Sequence, residues 1–206
     1  MTSEGVMRRY AAAVVAQIKN PARWPGVSLL ENFNDLQATV SVAAERASLE
    51  GDLASILLMH QVAEEFVRTL DDDSILYMQV RLFPFPFVPT RRPKRMFGQL
   101  LEDLESRVWF PSKKYILEDA RTLNQIRIPV VHGLARPGAL KAATNNVERA
   151  RAAYSRFVWL ALEAHLRFHG EFADYMDDTD WPPRDVQYYS NGGRMAEDAF
   201  LKKEQD

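Results

Sequence analysis

Apolar residues recur at three- and four-residue intervals along most of the chain, the spacing of helices that each bury one face. Residues 6–19 (VMRRYAAAVVAQIK) predict a short helix favoured by alanine and stopped at Asn20-Pro21, with a linker, PARWPG, after it. Ser28 stands three residues before Glu31, a capping-box spacing. From there Leu29, Leu30, Phe33, Leu36, Val40 and Ala43 or Ala44 carry a second helix to about residue 50. Gly51 is expected to break it and Asp52 to cap the next. In that third helix Leu53, Ile56, Leu57, His60, Ala63 or Glu64, Val67 and Leu70 form one stripe. Met59, Val62 and Phe66 widen the stripe, as packing on two neighbours requires. Asp71, Asp72 and Asp73 oppose the dipole of a helix C-terminus, and a chain turn is predicted there.

Pro84, Pro86, Pro89 and Pro93 forbid a helix or central strand over 84–93. Phe83, Phe85 and Phe87 alternate with them, which predicts an ordered apolar loop or a polyproline-like strip. Met96, Phe97, Leu100, Leu101 and Leu104 resume a helix to about Trp109, and residues 115–127 another. Pro129 should kink or end that helix, Gly133 and Pro137-Gly138 mark a turn, and 139–168 is the longest helix. Beyond Gly170 the pattern decays. No repeat and no alternating strand is visible. The expectation is an all-α chain: an antiparallel up-down four-helix bundle with an extra N-terminal helix, a cross-over helix and a C-terminal tail. Its divisions are 1–26 (helix and linker), 27–170 (bundle, with the proline-rich loop and cross-over helix at 84–110 inside it) and 171–206 (tail).

Composition narrows the chemistry. With 47% hydrophobic residues the chain has material for a core, so global disorder is not expected. The 26 basic and 28 acidic residues give a net charge of −2, so any nucleic-acid contact must use a local patch. With no cysteine, disulfides, thiolate metal sites and cysteine nucleophiles are excluded. No apolar run approaches the roughly 20 residues of a spanning helix, and no basic region precedes an apolar run at the start. A cytoplasmic location without membrane contact is the expectation.

The segment LNQIRIPVVHGL places Arg127 and His132 five positions apart, between two helices and just before a glycine. Five residues along a helix turn about 140°, so two long side chains can flank one groove. This arrangement resembles the HEPN family, whose hallmark is an arginine, four to six residues and a histidine on the third helix of a four-helix bundle. The resemblance extends over roughly 29–166, through the paired helices at 28–70, the Asn124-Gln125-Ile126-Arg127 run, His132-Gly133 and the long closing helix. It implies a metal- and cofactor-free dimer in which two such motifs face each other. In nucleolytic members His132 would act as general base or acid on a ribose hydroxyl, and Arg127 would stabilise charge on the phosphorane-like transition state. Ile128 stands where those members place a polar residue. Leu134 stands where nucleotide-modified toxins carry tyrosine.

Two functions follow from the resemblance, beside the plainer reading of a bundle that only dimerises. The favoured one is a non-catalytic HEPN-like regulator or interaction protein acting through protein contacts. Bundles like the mannitol operon repressor are similar, and Phe97-Gly98-Gln99-Leu100 looks loosely like their connecting helix. The alternative is a metal-independent endoribonuclease, a toxin or defence component with an antitoxin partner and RNA as substrate. Read from the residues alone, His132 can be a helix C-cap, and Arg127 can pair with the inward-facing Glu64. Arg91, Arg92, Lys94 and Arg95 form a basic run that either contacts phosphates or is simply solvated. His165 and His169 share a zinc-like spacing without a third ligand at a recognised distance, which reads as a solvated helix-end pair. Trp109, Tyr154, Phe157 and Trp159 exceed what one core is expected to hide, predicting a homodimer with the closing helix at its interface.

Overall fold

The computed structural model describes residues 3–46, 48–89, 95–133 and 139–182. These residues are all-α: α1 (Ser3–Ile18), a 3-10 turn (Pro21–Arg23), α2 (Val27–Glu45), α3 (Leu49–Arg81), α4 (Phe97–Ser106), α5 (Lys113–Gly133) and α6 (Ala139–Asp177). Among them no helix is long and apolar enough to cross a membrane. The described chain falls into two compact units. One comprises Pro25–Ser74 and Arg91–Phe168, and the other takes in the first 24 residues, Ile75–Thr90 and the chain from His169 onward.

In the first unit α2, α3, α5 and α6 pack through the stripes read from the sequence. Ile56, Met59, Val62, Ala63, Phe66, Val67 and Leu70 of α3 are buried, as are Ile116, Ala120, Leu123, Val130, Phe157 and Ala161 of α5 and α6. Contacts give the helix directions. The ring contact Phe66–Phe157 and the bond His165–Asp73 climb α3 and α6 together. By contrast, Asp119–Arg156 and Phe110–Phe168 run oppositely along the α5 and α6 strands of chain, and Phe33–Phe66 with the Gly26–Thr69 approach do so along α2 and α3. The four helices therefore alternate in direction. The cross-over helix α4 inserts Phe97, Leu100, Leu101 and Leu104, all buried.

Several boundaries differ from the sequence reading. The α2 helix starts at Val27 behind Gly26 at φ 72°, without a side-chain cap, so Ser28 lies inside the first turn. A Cβ on Gly26 would run into the Thr69 methyl and lie 2.8 Å from Cε1 of His165, so the tight approach selects glycine. Gly51 sits within the first turn of α3 instead of breaking a helix. Ser48, not Asp52, caps that turn, its Oγ accepting from Gly51 N at 3.2 Å. The helix α4 ends at Ser106, three residues short of Trp109, and α5 passes through Pro129 to Gly133 without ending at the proline.

The largest correction is at Asp71, Asp72 and Asp73, where α3 continues to Arg81 instead of turning. Asp71 is fully buried and accepts from Arg95 Nη1 at 2.6 Å and Arg107 Nε at 2.9 Å. Asp73 lies 2.6 Å from Nδ1 of His165, both side chains fully buried. Burial pushes the Asp73 carboxyl well above the usual carboxylate range and holds the His165 imidazole down to about 4, so burial disfavours the charged form of each partner. Tertiary partners thus replace the solvent these carboxylates would otherwise need. His165 is core, not the solvated residue that its spacing suggested.

In the second unit Phe87 N donates to Tyr10 Oη at 3.1 Å, which ties the described part of the proline-rich loop to α1. The rings of Trp24, His169 and Phe172 pack edge to face or tilted, and Lys19 Nζ donates to the carbonyl of Met176 at 2.5 Å. The decay of the apolar pattern past Gly170 predicts a tail, but α6 runs on to Asp177. Trp181 is buried against Phe83 and Tyr175. Residues 183–206 lie outside the described residues.

Candidate functional site

Asn124 and Arg127 lie three apart on α5 and share one face, opposite His60 and Glu64, four apart on α3. His60 is 3% exposed, and its Nε2 lies 3.3 Å from Oδ1 of Asn124. That amide oxygen only accepts, so Nε2 carries the hydrogen and donates. The ring of Phe97 from α4 meets His60 edge to face at 4.7 Å between centroids. Burial, then the positive charge of Arg127, holds the His60 imidazole below its ordinary value. The Asn124 bond and the Glu64 charge oppose that shift. The imidazole is thus neutral under physiological conditions.

Glu64 does not pair with Arg127 as its place on the apolar stripe suggested. Its Oε1 accepts from Arg68 Nη2, one turn along the same helix, at 3.0 Å. Arg127 is half-buried, and no carboxylate pairs with it among the described residues. His132 is exposed in the last turn of α5, flanked by Pro129 and by Ile128 and Val131, which are 45% and 44% exposed. Pro129 has no N–H for the carbonyl of Gln125, so that carbonyl loses its helical partner on this face. Arg127, Asn124 and Glu64 stand out in the sequence, whereas His60 shows there only as part of the α3 stripe. A histidine on an apolar stripe, one turn before a glutamate, was the available signal.

The other candidates separate. Arg95 is not a free phosphate contact: its side chain is 8% exposed and bound to Asp71 and Asp103. Arg91, Arg92 and Lys94 lie outside the described residues. Tyr154 and Phe157 belong to the core, at 5% and 0% exposure, whereas Trp109 and Trp159 are 78% and 70% exposed. Trp109 edges a groove of about 460 Å³ with Lys113, Lys114, Leu117, Glu118, Arg121 and Glu105. Lys113 is already committed there, donating to the carbonyls of Glu105, Arg107 and Val108 at 2.8, 3.0 and 3.2 Å.

A histidine with a depressed folded pKa takes up its proton less readily in the fold than in the unfolded chain. Its contribution is fully present above the unfolded value near pH 6.5 and is lost as pH falls through the folded value. His60→Gln should therefore flatten the acid side of the stability curve measured by urea denaturation. Parallel curves for wild type and variant below pH 6.5 would contradict the assignment.

Compared with protein-family models, curated proteins and solved structures, the chain matches none.

Proposed function

We propose that this chain is a cytoplasmic, HEPN-like interaction protein that acts through protein contacts on the outer surface of α5, first of all with a second copy of itself. The observation that carries the reading is the apolar rim around His132. Ile128, Pro129 and Val131 are all exposed beside it, where an RNA-cleaving surface would need polar and cationic groups. The commitment of Arg95 to Asp71 supports the same reading, because it withdraws a cation from the strip that could have held phosphates.

Light scattering at micromolar concentration should give twice the 23.6 kDa chain mass. The double substitution Ile128→Asp, Val131→Asp should yield a folded monomer, since two buried charges at a contact oppose association. Total RNA should survive incubation with the wild-type protein in the absence of metal. A wild-type monomer would count against the contact surface. RNA cleavage lost in His132→Ala at unchanged melting temperature would replace this reading with the metal-independent ribonuclease.

A further inference from the structure

The half-buried guanidinium of Arg127 has no acid partner among the described residues, and the nearest acid acting on the same histidine, Glu64, is held by Arg68. A guanidinium that is half withdrawn from water and has no counter-charge beside it keeps an attraction for an anion from outside. Its neighbour is arranged for the same purpose. Because His60 Nε2–H occupies Oδ1 of Asn124, the carboxamide is fixed with its Nδ2 hydrogens turned away from His60. Asn124 and Arg127 share a helix face three residues apart, and the Arg127 charge acts on the same His60 that bonds Asn124, so an amide donor and a five-donor guanidinium belong to one neighbourhood. Phe97, packed on the other side of His60, keeps the imidazole in place.

We propose that Asn124 and Arg127 form a carboxylate-binding site for an acidic side chain of a protein partner, with His60 as the positioning residue that sets the Asn124 amide. A carboxylate matches the guanidinium fork with two parallel hydrogen bonds. The exposed Ile128 and Val131 favour a partner segment in which that acid is flanked by apolar residues, over a phosphodiester. The inference rests on the protein-contact reading. The two fail separately: a monomer in light scattering sinks that reading, whereas the experiment below follows Asn124 and His60 directly.

The full chain, labelled for NMR, is titrated with acetyl-Leu-Glu-Leu-amide, with its Leu-Gln-Leu counterpart and with a uridine tetranucleotide. The glutamate peptide should shift the side-chain amide signals of Asn124 and raise the His60 pKa, because a bound carboxylate offsets the Arg127 charge that depresses it. The glutamine peptide should do neither, and Arg127→Ala should abolish the response. His60→Leu should weaken the peptide about tenfold, the equivalent of one charge-assisted hydrogen bond, while His60→Gln, which still offers a donor to Oδ1, should retain most of the affinity. Should His60→Leu fail to fold, the wild-type His60 titration still decides. Equal responses to both peptides, no response to either, or a response to the oligonucleotide as strong as to the glutamate peptide would overturn the proposal.

Discussion

Replacing Asp71 with alanine is expected to destabilise the protein by about 3–5 kcal/mol, the loss typical of stranding buried charges by removing their partner. Arg95 and Arg107 have side chains only 8% and 12% exposed, and both bind this one carboxylate. Arg95 would keep Asp103 at 3.2 Å. Arg107 would lose its ion pair, and its Nη2 is already buried without a hydrogen bond among the described residues. The two arginines flank α4 at either end, so the substitution also loosens the anchoring of the cross-over helix. For a chain of this size each kcal/mol lowers the melting temperature by roughly 2–4 °C, so a drop of about 10 °C is the expected result. The exposed pair Lys114–Glu118, 3.9 Å apart, is the control: Lys114→Ala should change stability by less than about 1 kcal/mol. A loss for Asp71→Ala no larger than for that control would show that solvent reaches Asp71.

Phe66→Ala should cost a similar amount, about 3–5 kcal/mol, for a different reason. The Phe66 ring is fully buried and meets Phe33 of α2 and Phe157 of α6 edge to face, with centroids 5.6 and 6.2 Å away. Removing it takes apolar surface from the core and leaves a cavity between three helices that cannot all close inward at once. Phe66→Leu fills most of that volume and should cost less than half as much. Chemical denaturation distinguishes the cases: the transition midpoint should move while its slope stays the same, since the surface exposed on unfolding is nearly unchanged. A loss below about 1 kcal/mol for Phe66→Ala would mean that the helices reorganise around the gap.

The periodicity of apolar residues determined the all-α class, the existence of the helices and most of the core. The α3 stripe from Ile56 to Leu70 needed no tertiary information, because burial on one or two faces writes itself directly into helical spacing. Helix ends were less legible, since they depend on backbone contacts. The start of α2 is set by Gly26 fitting against Thr69 and His165, and no local capping pattern encodes that fit. Likewise, three consecutive aspartates look like a helix end when judged by local electrostatics alone. Two arginines that follow them in the chain and a histidine some 90 residues away make them compatible with a continuous α3. The same principle governs the candidate site. Arg127, Asn124 and His132 could be read from one helix. The Glu64–Arg68 pair is a four-residue spacing on α3 that the sequence carries, but that His60 would turn the Asn124 amide, and that no carboxylate among the described residues would reach Arg127, was decided only when α3 packed beside α5. Charge pairing between distant segments carries no periodic signature, so it becomes visible only in the folded chain.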